Sequence, residues 1–341
     1  MSGVAIEEWE RLARETVAGP WAWPGWFEAW AKAFAPGEEL VVHGVRAEGR
    51  LRGVGVFRRR GRRLEAAANV HSPWWGVVAA DDETRKRVIA DAVADAPAGV
   101  VLRQVRDDAE ANAVPDRCRT VRRVIERAPF VRVSADWDAY AHATITRHQR
   151  LEIERCKRRL SEEGPLQYEW LAPSLDAIDT LLDAGFRVEG SGWKARAGTA
   201  IDSQPETASF YREVARWAAT RGWLRLGFLR VGTRPVAFEL AFEQEGVVSL
   251  VKGGYDESSA RFGPGIILLR DLLQDAFERG VREVDLLGSS EQYKLRWAHG
   301  TRERSELAVL PATPRGTAEY VARRVMLGAR SAARPLVRLR R

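Results

Sequence analysis

The sequence is poor in residues that bind metal ions. Its 341 residues include two cysteines, Cys118 and Cys156, and five histidines, and none of them stands at a metal-ligand spacing. We therefore expect no metal. Cys156 lies in the basic helical stretch ERCKRRL, which favours a half-buried bystander over a catalytic nucleophile.

Long apolar runs are also missing. No stretch approaches the ~20 apolar residues of a membrane-spanning helix. The first residues, MSGVAIEEWERLARE, lack the basic start and the apolar core of a secretion signal. We therefore expect a cytoplasmic protein. A length of 341 residues and a hydrophobic content of 45% are typical of a globular chain with two domains.

Charge is spread unevenly along the chain. The formal net charge of +7 favours acidic partners such as nucleotide phosphates, RNA or a membrane surface. Two arginine-rich stretches stand out, namely 147–159 (RHQRLEIERCKRR) and the tail from Arg323 to Arg341. Apolar residues stand between the arginines of the tail, as in a basic amphipathic helix that contacts lipid or RNA. A solvated terminus is an equally good interpretation.

Hydrophobic periodicity and turn residues predict a similar order of elements in both halves of the chain. In the first half we expect two helices in 4–34, a hairpin or meander in 39–69, a helix at 81–96 and a strand at 99–105. A long helix is predicted over 135–163. In the second half we expect helices at 174–186 and 205–221, three strands in 223–255, a helix from Pro264 and a strand at 282–287. We interpret the halves as two copies of one α+β domain.

The predicted domain boundaries follow from this order. Residues 1–134 are expected to form an N-terminal domain, and 135–165 a connecting basic helix. Residues 166–315 are expected to form a C-terminal domain, followed by a basic helix or tail at 316–341.

A glycine-rich loop precedes the predicted helix in the stretch 253–270, GGYDESSARFGPGIILLR. Helix N-termini carry unpaired N–H groups and a partial positive charge, so a glycine-flanked one lets a phosphate approach the backbone. The sequence therefore predicts an anion site at Gly263, Pro264 and Gly265, assisted by Arg261. A plain turn and helix start is the alternative interpretation.

Polar residues flank this loop on the two neighbouring strands, and we expect them to face one cleft. A lysine there can stabilise an oxyanion or a phosphate, and Glu239, on the central strand AFELAF, is a candidate general base. Tyr255 is a candidate proton donor. The other candidate ligand-binding residues of the cleft are Lys252, Asp285, Glu291, Tyr293 and Trp297, beside the candidate catalytic residue Lys294. A solvated lysine beside an anchoring aromatic is the alternative for Tyr293 and Lys294.

Two further stretches have the composition of ligand-binding loops. The irregular stretch EGSGWKARAGTAID contains Trp193 and Lys194, and long irregular loops are often functional. The stretch AANVHSPWWG contains the candidate substrate-binding residues Asn69, Ser72 and Trp74. A tryptophan-rich core edge is the alternative interpretation of the second stretch.

The runs GSGWKARAGTA and VKGGYDESSARFGPGIILLRDLLQDAFERGVREVDLLGSSEQYKLRWAHGTR resemble the GNAT-fold acyltransferases of the BioF2-like, Fem-related branch, which includes cellulose-biosynthesis-type acetyltransferases. The likeness covers most of the chain and is strongest from Glu189 to Arg302. It implies tandem GNAT domains with mixed, mostly antiparallel sheets flanked by helices. It also implies that acetyl-CoA or another acyl-CoA binds the second domain.

The resemblance also assigns roles to residues. Arg261, Gly263, Pro264 and Gly265 occupy the place of the loop that wraps the cofactor pyrophosphate, although their spacing is RxGxG. Tyr293-Lys294 resembles the phenylalanine-lysine motif of the Fem ligases, which implies that Lys294 stabilises the transition state.

The leading functional hypothesis is an N-acyltransferase that modifies an amine of a small metabolite, sugar or peptide. One alternative is a Fem-type aminoacyl-tRNA-dependent transferase, in which the basic helix at 147–159 binds tRNA phosphates. Another is a non-enzymatic scaffold in exopolysaccharide or envelope assembly, with the basic C-terminus in peripheral contact with a membrane.

Overall fold

The computed structural model describes residues 3–38, 40–106, 109–133, 136–191, 198 and 200–338, with side chains described as far as Gly328. The chain divides into two compact units. The first unit comprises Met1–Ala31, Ala35–Glu126 and Glu303–Arg341, and the second unit comprises Lys32–Phe34 and Arg127–Arg302. The division of the sequence into the four predicted segments stays a prediction.

The first unit contains a mixed sheet with helices packed on it. Its elements are α1 (Ile6–Glu15), α2 (Pro24–Phe34), β1 (Leu40–Ala47), β2 (Arg50–Arg60), β3 (Arg63–Ala66), β4 (Val78–Ala79), α3 (Asp82–Ala94), β5 (Val100–Arg106), α4 (Ala109–Asn112), β6 (Cys118–Arg132), β12 (Gly300–Pro311) and α11 (Pro314–Arg338). Of these, α2 and β6 end in the second unit and β12 begins there. Strand β1 pairs antiparallel with β2, β2 antiparallel with β3, β3 parallel with β5, and β5 antiparallel with β12. Four tryptophans are fully buried in this unit: Trp9, Trp23, Trp26 and Trp30.

The second unit is also α+β. Its remaining elements are α5 (Trp137–Thr144), α6 (Arg147–Ser161), β7 (Leu166–Leu171), α7 (Ile178–Gly190), α8 (Pro205–Thr220), β8 (Leu224–Val231), β9 (Arg234–Gln244), β10 (Val247–Tyr255), α9 (Pro264–Glu278), β11 (Glu283–Asp285) and α10 (Gln292–Leu295). Strands β7 to β10 pair antiparallel in chain order, whereas β10 and β11 are parallel. The prediction of an α+β fold with mixed, mostly antiparallel sheets flanked by helices is confirmed.

The parallel pair β10 and β11 opens partway along its length. Val247–Ser249 pair with Glu283–Asp285, but β11 ends there while β10 continues to Tyr255. A β-bulge between Leu250 and Lys252 shifts the register of β10 against β9 at this point. Beyond Ser249, β10 pairs only with β9 among the described strands. One edge of its C-terminal half therefore faces a gap.

The single helix predicted over 135–163 is wrong, because the structure has two helices there. Helix α5 ends before Ile145, whose extended backbone and buried side chain interrupt the helix. Thr146 then caps α6: its hydroxyl accepts from the Gln149 N–H, and the Gln149 side chain accepts from the Thr146 N–H. This reciprocal capping box favours a fresh helix start.

In the part of the chain that the structure describes, no helix is both long enough and apolar enough to cross a membrane.

Candidate active site

A cavity of about 520 Å³ lies in the second unit where β10 and β11 diverge. Its polar and charged lining consists of Glu189, Glu239, Lys252, Tyr255, Glu257, Glu291, Tyr293 and Lys294. Apolar walls come from β10, α9 and the end of β11, including Leu250, Leu268, Leu269, Leu272 and Leu286. An apolar cavity with a few convergent polar groups is the usual form of a small-molecule site.

Two glycines of β10 allow carboxylates to lie against the strand. Glu239 of β9 is the register partner of Gly253. A methyl group at Gly253 would collide with the Glu239 carboxylate, which lies over β10. A methyl group at Gly254 would lie 2.7 Å from Cα of Glu189. Both carboxylates can therefore line the cavity only because these strand positions have no side chain.

The start of α9 forms one end of the cavity. Gly263 adopts the left-handed conformation (φ 60°, ψ 46°), and Pro264 occupies the first helical position. A Cβ at Gly265 would lie 3.3 Å from Cδ1 of Tyr255, so the helix start and the tyrosine ring are close. Gly263, Gly265 and Ile266 all line the cavity. The positive end of the helix is thus presented to whatever binds there.

The turn after β11 places Lys294 at the cavity. Leu287 and Gly288 both have positive φ, 45° and 60°, and such a backbone is costly for leucine. The Lys294 side chain folds back over this turn, with Nζ 3.5 Å from the Leu287 carbonyl oxygen and 3.1 Å from Glu291 Oε2. Only 15% of its side chain is exposed. The ammonium group is therefore held in one place.

Tyr293 keeps its proton in this environment. Burial of the hydroxyl, together with the nearby Glu291 and Glu239 carboxylates, raises the pKa of Tyr293 above its ordinary range, because each disfavours a phenolate. The residue as a whole remains 37% exposed. At neutral pH Tyr293 is therefore a neutral hydroxyl that can donate a hydrogen bond.

A buried ion pair supports the opposite wall. Lys252 Nζ lies 3.6 Å from Glu189 Oε1, and the Glu189 side chain is fully buried. Glu189 Oε2 accepts a hydrogen bond of 2.8 Å from the Ile201 N–H. The Lys252 ammonium also lies over the ring of buried Tyr211, whose pKa is raised by burial and by Glu189. Glu189 therefore fixes Lys252 at the cavity.

Neither Glu189 nor Glu257 is among the site residues predicted from the sequence. Glu189 is the second-last residue of α7, and its position before the glycine-rich stretch was the one sequence signal for a role. Glu257 follows β10 in a 3₁₀ helix, Glu257–Phe262, and its charge alone does not separate it from a surface carboxylate.

Four of the predicted site residues lie elsewhere in the second unit. Arg261 does not line the cavity: it is 68% exposed and pairs with Glu163 at 3.1 Å. Pro264 begins α9 without lining the cavity. Asp285 is buried and accepts a hydrogen bond of 3.0 Å from the Leu287 N–H. Trp297 is 1% exposed and belongs to the hydrophobic core.

The remaining predicted residues lie outside this cavity or outside the described residues. Asn69, Ser72 and Trp74 belong to the first unit, where Ser72 Oγ accepts from the Asn69 N–H at 3.2 Å and the Trp74 side chain is buried. Trp193 and Lys194 fall outside the described residues. Among the residues with described positions, no group of three His, Cys, Asp or Glu side chains is arranged to hold a metal ion.

Comparisons with known proteins show a match to one family model and similarity to several solved structures. Residues 147–295 match the family model described as an acetyltransferase (GNAT) domain. The structure is similar to that of L-PGS from Bacillus licheniformis, with 14% identity, coverage of 93% of this chain and 96% of that chain, and a TM-score of 0.58. No curated protein sequence matches the chain.

Two further solved structures are similar. One is the C-terminal domain (DUF2156) of a predicted lysylphosphatidylglycerol synthetase from Agrobacterium fabrum, with 13% identity, coverage of 95% and 98%, and a TM-score of 0.58. The other is FemX, with 10% identity, coverage of 90% and 96%, and a TM-score of 0.57. At these identities the similarity concerns the fold alone. The family match confirms the predictions of a GNAT fold and of an acyltransferase, and the solved structures support the fold.

Proposed function

We propose that the second unit transfers an acyl group from an acyl-CoA-type donor to the amine of a small metabolite, sugar or peptide. The observation that carries this proposal is the convergence of Lys294, Tyr293 and Glu239 with a Gly-Pro helix start at one cavity. That cavity is lined by residues of the segment that matches the GNAT domain.

The charge of the cavity supports an amine acceptor. Among the described lining residues, four are carboxylates (Glu189, Glu239, Glu257 and Glu291) and two are ammonium groups (Lys252 and Lys294). An excess of carboxylates attracts a protonated amine and disfavours an anionic acceptor. The acceptor must then lose protons before and during transfer, and a carboxylate at the cavity can take one.

The positions of the side chains support the following proposed roles. In the proposed reaction the acceptor nitrogen attacks the acyl carbonyl carbon, the carbonyl electrons move to oxygen, and the bond to the donor sulfur breaks as the carbonyl re-forms. Glu239 accepts a proton from the nitrogen directly or through water, and Lys294 stabilises the negative oxygen. The leaving sulfur takes a proton from a tyrosine.

Two tyrosines line the cavity as candidates for this proton transfer, Tyr255 and Tyr293. Tyr255 is the candidate from the sequence, and its ring packs beside the start of α9. Burial and the Glu291 and Glu239 carboxylates raise the pKa of Tyr293, so its hydroxyl is a weaker acid than that of an ordinary tyrosine and is better suited to donate a hydrogen bond than a proton. We therefore place Tyr255 first and Tyr293 second in this role.

A second candidate donor is an aminoacyl-tRNA, as in Fem-type transferases. A specific observation favours it: Arg147, Arg155 and Arg158 lie along one exposed face of α6, and exposed Arg159 stacks on Phe262 beside Arg261. Phe262 directly precedes Gly263, which lines the cavity. Binding of a charged tRNA through these arginines should weaken steeply with salt. We also propose that the chain belongs to the BioF2-like branch and that it acts in polysaccharide biosynthesis.

Acyl-donor titration tests the proposal. We expect acetyl-CoA or a longer acyl-CoA to bind with a micromolar Kd in isothermal titration calorimetry, and Gly265→Glu to abolish this binding. The new carboxylate would stand at the helix start where the donor phosphate binds, beside the Tyr255 ring. Gly328→Glu, the same change at an exposed glycine of α11 with nothing within 4 Å, should bind as the wild type does.

The outcomes separate the two donors. Wild-type protein that binds neither acyl-CoA but binds a charged tRNA would move the assignment to the Fem-type alternative. Equal loss of acyl-CoA binding in both glycine variants would show that the effect is not located at the start of α9.

The thiol of Cys156 is expected to be inert. Its side chain is partly buried on α6, and burial together with the Glu152 carboxylate raises the pKa of Cys156. A pKa above the ordinary value leaves less thiolate at neutral pH, so alkylation by iodoacetamide should be slower than that of free cysteine and should rise with pH. Cys156→Ser should keep the acyl-transfer rate within about twofold of the wild type, a change typical of a surface substitution.

A further inference from the structure

The last helix of the first unit, α11, is tied down along one side. Arg63 and Arg323 both pair with Glu319 of this helix, and Arg323 also lies 3.6 Å from Glu306 of β12. Arg119 of β6 stacks over the Tyr320 ring at 5.5 Å. These contacts define an inner face of α11 that is held by ion pairs and a cation–π contact.

The other side of α11 exposes large apolar side chains. Val321 and Val325 are 52% and 65% exposed. They are four residues apart and therefore lie on the same face of the helix. Met326, which is 55% exposed, lies instead in the groove with Arg323. Val321 and Val325 form what we call the outer apolar patch.

The net charge of the whole chain comes from the segment of sequence that contains this patch. Residues 320–341 contain seven arginines and no acidic residue, whereas the chain contains 54 Lys and Arg and 47 Asp and Glu. The first 319 residues therefore have a formal net charge of zero, and the formal charge of +7 is that of residues 320–341. Arg324 is exposed directly beside Val325.

We propose that the outer apolar patch and the arginines of α11 bind the surface of an anionic lipid bilayer. Exposed aliphatic side chains can enter the boundary between headgroups and acyl chains, while neighbouring arginines pair with lipid phosphates. A single-stranded RNA partner would instead require exposed aromatic side chains for base stacking. Tyr320, the aromatic residue of this helix, is engaged by Arg119. The proposal does not depend on the identity of the acyl donor.

Vesicle flotation tests the proposal. We expect the full chain at low salt to float with vesicles of phosphatidylcholine and phosphatidylglycerol, and not with vesicles of phosphatidylcholine alone. Val321→Asp combined with Val325→Asp should lower the bound fraction at least tenfold, and Arg324→Glu combined with Arg330→Glu should do the same. Leu175→Asp is the matched control, because Leu175 is 57% exposed in the second unit and should leave binding unchanged.

Several outcomes would overturn this proposal. Wild type that stays unbound to the phosphatidylglycerol vesicles, or a Val321→Asp, Val325→Asp variant that still floats, would reject the patch as a lipid site. Equal loss in the Leu175→Asp control would mark the binding as nonspecific. If an RNA oligonucleotide displaces the wild type from the vesicles and also binds the aspartate variant, the partner is RNA. If the wild type is a dimer and the aspartate variant is a monomer, the patch binds a second copy of the chain. Unchanged circular dichroism spectra verify that the variants are folded.

Discussion

Replacement of Lys294 by methionine is expected to lower the turnover of acyl transfer by about 10²–10³-fold, which is the usual effect of removing one oxyanion-stabilising group. Methionine keeps the length and the apolar stem of lysine and removes the positive charge. The ammonium group lies 3.1 Å from Glu291 and the Lys294 side chain is 15% exposed, so the charge acts in a partly desolvated cavity where it has a large effect. Steady-state rates with saturating donor and acceptor measure the change.

Donor binding separates a catalytic role from a binding role. If Lys294 acts on the transition state, the Kd for the acyl donor in Lys294→Met stays within a few fold of the wild type. Lys32→Met is the matched control, because Lys32 is 65% exposed and pairs with Glu213 on the protein surface. A Lys294→Met protein with wild-type turnover and normal folding would reject the proposed role of Lys294 in the chemistry.

The sequence was informative about the loop and helix that form this cavity. Glycine and proline punctuation located the start of α9 at Pro264, since these residues act through local backbone geometry. The expectation that Lys252, Tyr255, Tyr293 and Lys294 face one cleft followed from the parallel order of the strands. The structure brings all four to one cavity, and their roles stay predictions.

Other parts of the fold were not readable from local patterns. Strand β6 is 15 residues long, but its buried and exposed residues do not alternate. Its arginines interrupt the alternation of apolar and polar residues by which a strand is usually predicted. The break between α5 and α6 depends on the capping box at Thr146, which is a signal of two residues inside a long polar segment. A signal of two residues is outweighed by the helical pattern of the long segment around it.

Residues that act through buried contacts were the hardest to predict. Glu189 forms an ion pair with Lys252 and accepts a hydrogen bond from the Ile201 N–H, and the three residues lie in three different elements. No sequence spacing predicts these contacts. Asp285, in the strand that borders the cleft, and Trp297, which follows that strand, were predicted to lie in the cleft, but the direction of each side chain decides its role. Both side chains are buried away from the cavity lining.

Trp297→Ala is expected to destabilise the second unit by about 3–5 kcal/mol, as truncation of a large buried aromatic usually does. The indole is 1% exposed and stacks on Trp137 with ring centroids 6.2 Å apart. The carbonyl of Trp297 also accepts a hydrogen bond from the buried Tyr140 hydroxyl. Urea denaturation should therefore show a lower midpoint, with an unchanged slope if unfolding remains two-state.

Comparison with Trp297→Phe decides between a core residue and a substrate contact. Phenylalanine fills part of the cavity that alanine leaves, so it should restore more than half of the lost stability, because the cost grows with the volume left empty. The Trp297 backbone N–H donates to the Lys294 carbonyl at 3.0 Å, so loss of packing here should also loosen the turn that holds Lys294. If both variants instead kept the wild-type denaturation midpoint and lost affinity for the acceptor, the ring would be a substrate contact and its core assignment would fail.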